Sequence, residues 1–165
     1  MTEGTCAAPV IRDAGPQDAE ALVDLIDQLN RHEATLCEDR RTGRDAAREC
    51  LASLTARIAR DGGAVLVCES SGRVSGLVAM AYAEDGPYVV TSLRRHALVT
   101  DLVVDQSARG VGIGRALLAE AEARARKAGR GRIMITALQA NEAALRAYQA
   151  AGYGAYLLML QKPLG

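Results

Sequence analysis

Three apolar, β-branched runs follow one another with no helical segment between them: AVLVCES from Ala64, RVSGLVAMAYAE from Arg73 and HALVTDLVVD from His96. Only turn signals separate them, Ser70-Ser71-Gly72 and Asp85-Gly86-Pro87. Such strands form, most simply, an antiparallel meander. The period changes on either side of this block. VIRDAG, from Val10, reads as a short strand ending in a turn at Gly15-Pro16. Leu22, Leu25, Ile26 and Leu29 then recur at helical spacing and predict a helix from Asp18 to about Arg31. Asp18 and Glu20 fall in its first turn, where the helix dipole favours anions. HEATLCEDRRTGRD is polar and irregular, a loop; Leu51, Leu54 and Ile58 mark a second helix from Asp45 to Arg60, ended by Gly62-Gly63. After the meander come a helix over about Gly112 to Ala128, a strand RIMITAL, a short helix NEAALRAYQAAG and a last strand YGAYLLMLQK. The order β-α-α-β-β-β-α-β-α-β predicts an α/β (α+β) fold with a mixed, mostly antiparallel central sheet and helices on both faces. No linker or repeat interrupts it, so one domain over residues 1–165 is expected.

Composition narrows the function. The chain is 49% hydrophobic and 24% charged with a formal net charge of +0, which gives no support for nucleic acid or an anionic membrane as the main partner. With no Phe, no Trp and five Tyr, the core must come from Leu, Val, Ile and Ala, and stacking platforms for single-stranded nucleic acid have no raw material. MTEGTCAAPVIRD lacks the basic segment and apolar core of a signal peptide, and no apolar run approaches the ~20 residues of a membrane span. A cytoplasmic chain is expected. Cys6, Cys37, Cys50 and Cys68 form no CxxC pair, and His32 and His96 have no ligand spacing to them; reduced thiols and no metal are expected.

Three glycines in five residues, Gly110, Gly112 and Gly114, stand where the third helix must begin. Glycine costs a helix about 1 kcal/mol relative to Ala. A plain strand-to-helix turn using positive φ is one reading. The other is an anion seat: main-chain N–H groups at a helix start, cleared of Cβ atoms and flanked by Arg109 and Arg115. The spacing is neither the dinucleotide fingerprint nor a P-loop.

Arg109-x-x-Gly112-x-Gly114, preceded by TDLVVD and followed by a helix, resembles the acetyl-CoA-binding motif of the GCN5-related N-acetyltransferases. NEAALRAYQAAGY, Asn141 to Tyr153, is similar to a second segment of that family, and the element order is similar over about residues 10 to 161. The resemblance implies acetyl-CoA as cosubstrate. Its pyrophosphate would rest on Arg109, Gly110, Val111, Gly112, Ile113, Gly114 and Arg115. Its pantetheine would run along the backbone of Leu102, Val103 and Val104, with Asn141 bonding to the same arm. Tyr148 would donate to the departing thiolate; its competing reading is a core aromatic.

Deprotonating the acceptor amine needs a base, and Asp101, Glu84, Asp85 and Glu33 are candidates. Asp101 stands out because it interrupts an apolar strand. Many relatives carry Glu one residue earlier, where this chain has Thr100, so a water relay is an equal alternative. RHEATLCEDRRTGR and EDGPYVVTSLRRH are expected to shape the acceptor site, but their mixed charges do not choose a substrate. The expected activity is acetyl transfer to a primary amine of a small molecule. A protein or peptide acceptor and a non-catalytic acyl-CoA-binding domain are the alternatives. The apolar last strand would also serve a homodimer.

Overall fold

The computed structural model describes residues 9–164; Cys6 lies outside them. Five strands, β1 (Val10–Asp13), β2 (Gly63–Ser70), β3 (Arg73–Glu84), β4 (Arg95–Val104) and β5 (Arg132–Ile135), form one sheet in sequence order. The first four are antiparallel neighbours, so the meander is present, and β5 joins β4 in parallel. A parallel joint needs a crossover, and α4 (Ile113–Lys127) supplies it.

The two-residue period of the strands sorts the core into two layers. Leu66, Cys68, Val78, Met80, Ala97 and Val99 face Ile113, Leu117, Leu118, Ala121 and Ala125 of α4. Residues of opposite parity, Val67, Leu77, Ala79 and Val103, face Leu22, Val23, Leu25 and Ile26 of α1 (Ala19–Ala34) and Ala47 and Leu54 of α2 (Arg44–Asp61). Helices thus cover both faces. The approach of α4 is close at Gly76 on β3. A Cβ there would stand 3.1 Å from Ile113 Cγ2 and 3.1 Å from the Val103 carbonyl oxygen. Bulk at 76 would lift the first turn of α4, the turn that carries the glycine cluster.

The structure departs from expectation in four places. The first helix continues to Ala34. A single helical turn, α3 (Thr91–Arg94), sits in the β3–β4 connection. β5 stops at Ile135 rather than continuing through TAL. The last strand is a correction: residues 153–162 pair with no strand of the sheet. Apolar content announced burial, yet Tyr156, Leu157, Leu158, Met159 and Leu160 are exposed. The reason lies in the anchoring of the tail. α5 (Glu142–Ala150) returns the chain so that Tyr156 stacks on the Arg132 guanidinium, 4.7 Å from its ring centroid, at the first residue of β5.

Candidate active site

The site begins where β4 and β5 part. Their register runs from His96↔Arg132 to Val99↔Ile135 and stops. There β4 bulges: Ala79 pairs with Asp101 and Met80 with Val99, leaving Thr100 as the extra residue. Among the described residues, one edge of β4 from Thr100 to Val104 therefore has no strand beside it. The Asp105 N–H donates to the Ser75 carbonyl at 2.8 Å. By the alternation of an antiparallel ladder, Val103 also turns its main-chain groups toward β3, and Leu102 and Val104 turn theirs into the open cleft. The Arg109 guanidinium donates through Nε to the Val104 carbonyl at 3.1 Å, which fits that direction. Of the three backbone positions expected along a ligand, Leu102 and Val104 turn their main-chain groups into the cleft and Val103 turns its own toward β3.

The glycine turn follows directly. Asp105 holds it: its carboxylate accepts from the Ser107 N–H at 2.9 Å and from Gln28 Nε2 at 3.2 Å and lies 3.3 Å from Arg73. The Ser107 hydroxyl and Gln28 hold its carboxyl down at about 2. Gln28 also accepts from the Gln106 N–H at 3.2 Å, so α1 clamps the turn. Gly110 and Gly112 have φ of 84° and 88°, and an added Cβ at either would meet nothing within 4 Å. The positive φ alone calls for glycine. The empty space is the second fact, for it leaves the first N–H groups of α4 approachable, and no side chain caps that helix. Gly114 has ordinary helical backbone. Ile113 is buried against the sheet and offers only its main chain, while Val111 is exposed. Arg109 and Arg115 are exposed on the flanks, and Arg115 has no ion-pair partner among the described residues.

On the α4 face of the sheet, α5 brings up the remaining residues. Asn141 caps that helix, its Oδ1 accepting from the Ala144 N–H at 3.1 Å. Half its amide is thus structural, and Nδ2 is left for a ligand. Tyr148 packs half-buried against the core, its ring centroid 6.3 Å from that of Tyr153. Burial raises its pKa above the ordinary phenol value and nearby Glu33 adds to the rise, so the hydroxyl stays protonated.

Asp101 shares the parity of Val103 and so lies on the other face of β4. It lines a cavity of about 500 Å³ with Thr100, Asn30, Arg40, Arg41 and Arg57. Burial pushes its carboxyl above the ordinary carboxylate range; Glu33 adds to the push, and Thr100 and Arg57 oppose it. Glu33 thus acts on Asp101 and Tyr148 together. Its own carboxylate is held by Arg40 at 2.6 Å. Asp39, Arg40 and Arg41 of the loop after the first helix line this cavity. The β3–β4 segment does not line it: Glu84 pairs with Arg95 at the opposite end of β4, and Asp85 is taken by Arg132 at 2.6 Å and His96 at 3.2 Å. A larger cleft of about 940 Å³ opens beside Arg12, Asp18, Gln28 and Arg73. It reaches Asp105 but neither Asp101 nor Tyr148, so its size does not make it the reaction site.

Residues 25–153 match the model of the acetyltransferase (GNAT) family. The chain belongs to the GNAT acetyltransferase family. Solved structures agree in fold. A GCN5-related N-acetyltransferase from Ralstonia eutropha JMP134 superposes with a TM-score of 0.75 at 22% identity, covering 96% of this chain and 100% of that one. The aminoglycoside N-acetyltransferase AAC(6')-Iy, solved with CoA, gives 0.75 at 15% identity over 100% of both chains. A protein described as a transcriptional regulator from Bacillus halodurans C-125 gives 0.75 at 21% identity, covering 95% of this chain and 100% of that one. A search of curated protein sequences finds no significant match. A GNAT chain uses acetyl-CoA, and the residues here fit it: an unpaired strand edge at Leu102 and Val104, an uncapped helix start with open space above Gly110 and Gly112, and two flanking arginines.

Two contributors were hidden in the sequence. The Asp105–Gln28 clamp joins residues 77 positions apart, and no local pattern marks it. The bulge at Thr100 carries no glycine to signal it.

Proposed function

We propose that the chain transfers the acetyl group of acetyl-CoA to a primary amine of a small molecule by direct attack of that amine. The observation that carries this reading is the unpaired edge of β4, which lies between the bulge beside Asp101 and the open glycine turn. Bound acetyl-CoA supplies an activated acyl group on a thiolate leaving group. The rest falls to the chain. Leu102 would pair with the pantetheine amides, Asn141 Nδ2 would donate to the same arm, and the N–H groups from Val111 to Arg115 would hold the pyrophosphate. The outward N–H of Val104 is a donor for the carbonyl oxygen as charge develops there. Asp101, with its raised carboxyl pKa, takes the proton of the amine. Tyr148, protonated across the neutral range, gives its proton to the departing sulfur.

The cavity beside Asp101 is lined by Asn30, Arg40, Arg41 and Arg57. Its arginines differ in commitment. Arg40 and Arg41 are paired to Glu33 and Glu49 at 2.6 Å, whereas Arg57 reaches Asp61 only at 3.8 Å. Arg57 is therefore the cation suited to an acidic group on the acceptor. The test is thiol release from acetyl-CoA with a panel of small amines, with and without a carboxylate, and peptides. Turnover with small amines supports the proposal. Turnover confined to peptides, or tight CoA binding with no turnover, overturns it.

A further inference from the structure

One wall of the cavity beside Asp101 is a single face of α2. Ala46, Glu49, Cys50, Ser53, Leu54 and Arg57 line it, and their spacing of three and four residues stacks them along the helix. The lining is charged. What such a cavity can hold depends on which of its charges are already matched.

Asp39, Glu49 and Asp101 face Arg40, Arg41 and Arg57 across it. Arg40 holds Asp39 at 2.7 Å as well as Glu33 at 2.6 Å. Arg41 grips both oxygens of Glu49, at 2.6 and 3.2 Å. These side chains answer one another, and Asp101 and Arg57 remain. Asp101 has the Thr100 hydroxyl beside it, and among the described residues no guanidinium stands at ion-pair distance from it. Arg57 reaches Asp61 only at 3.8 Å. Asp61 is itself taken by Arg60 through both carboxylate oxygens, at 2.8 and 2.9 Å. Arg57 nonetheless acts on Asp101, opposing the rise of its carboxyl pKa. The two share one cavity and influence each other without meeting.

An unmatched acid and an unmatched base in one cavity are the complement of a zwitterion. Resting on the acetyl-transfer reading of this site, we infer that the acceptor is an amino acid with a free amine and a free carboxylate, its amine at Asp101 and its carboxylate on the Arg57 guanidinium. An amine with no acidic group would leave Arg57 unanswered, and a diamine would set a second ammonium against it. The guanidinium fork fits a carboxylate through two parallel N–H···O bonds. The step balances. The ammonium gives one proton to Asp101, and the neutral nitrogen bonds to the thioester carbon as the C–S bond breaks. Tyr148 gives a proton to the sulfur and regains one from the nitrogen as it becomes an amide, while the Asp101 proton passes to water. The acceptor carboxylate takes no part in the bond changes and stays on Arg57.

Two measurements on the full chain test this. Thiol release from acetyl-CoA is followed with α- and ω-amino acids, each beside its own primary amide, which keeps the shape and removes the carboxylate charge. The amino acid is expected to exceed its amide in kcat/KM by about 10–100-fold, as for a hydrogen bond to a charged group, with most of the difference in KM. Arg57→Gln, at a side chain 36% exposed, keeps the circular dichroism spectrum of the wild type and abolishes the preference. Calorimetry in the presence of CoA, which needs no turnover, shows the amino acid binding more tightly than its amide to the wild type and no more tightly to the variant. Amides that serve as well as amino acids, a preference for the acid that survives Arg57→Gln, or turnover of amines with no amino acid among them overturns the inference and leaves acetyl transfer to amines standing. Thiol release with no amine of any kind overturns both.

Discussion

Replacing Asp101 by Asn separates catalysis from stability in opposite directions. The carboxylate is mostly out of water, and burial raises its pKa. A raised carboxyl pKa means the folded state holds the proton more tightly than the unfolded chain does. The ionised form is therefore disfavoured in the fold. The resulting cost is absent below the unfolded value of about 3.9, grows as pH rises toward the raised folded value, and is complete above it. Asn has the same shape and no charge to desolvate. At neutral pH the variant is expected to be more stable by about 0.5–2 kcal/mol. In a chain of 165 residues each kcal/mol moves Tm by about 2–4 °C. The gain should vanish near pH 3. The rate should move the other way: loss of a general base lowers kcat/KM by about 10²–10⁴-fold, and the acidic limb of the wild-type pH profile, which reports Asp101 losing its proton, should disappear. The assays are thermal melts from pH 3 to 8 and kcat/KM over the same range. An Asn variant that melts lower at pH 7, or turns over at the wild-type rate with the same acidic limb, refutes the assignment of Asp101 as a desolvated base.

Tyr148→Phe removes a hydroxyl without leaving a large cavity, so kcat should fall by about 10²-fold with CoA affinity and Tm nearly unchanged; an unaffected kcat would return Tyr148 to the core. Arg115→Ala, at an exposed arginine with no ion pair among the described residues, should weaken CoA binding about fivefold and leave pantetheine, which lacks the pyrophosphate, unaffected in calorimetry. Equal losses for both ligands would contradict the anion seat. Asp105→Ala should unclamp the glycine turn and cost about 0.5–2 kcal/mol, as loss of a cap does. Because the wild-type carboxyl is held down at about 2, its contribution is present above about pH 4 and lost as pH falls through 2, so acid melts of the two proteins should converge there.

Local rules carried most of the fold. The meander was readable because three β-branched runs are separated by turn residues alone, and the helices because Leu22, Leu25, Ile26 and Leu29 keep one face. The glycine turn was legible for the same reason, since a positive φ is a demand of one residue on itself. Asp101 could be picked out as a charge breaking an apolar strand. What stayed hidden depends on distant partners. Nothing near Gln28 says that it will hold Asp105, and nothing near Glu33 says that it will act on both Asp101 and Tyr148. The Thr100 bulge is a mismatch of register between two strands, a property of neither alone. The tail misled because apolar composition suggests burial, whereas Tyr156, Leu157, Leu158, Met159 and Leu160 are exposed.

A crystal soaked with acetyl-CoA tests the central claim most directly. Density is expected along the open edge of Leu102 and Val104, with the pyrophosphate on the turn from Arg109 to Arg115 and the sulfur beside Tyr148. Density in the larger cleft beside Arg12, Asp18 and Arg73, with the edge of β4 bare, would contradict the account.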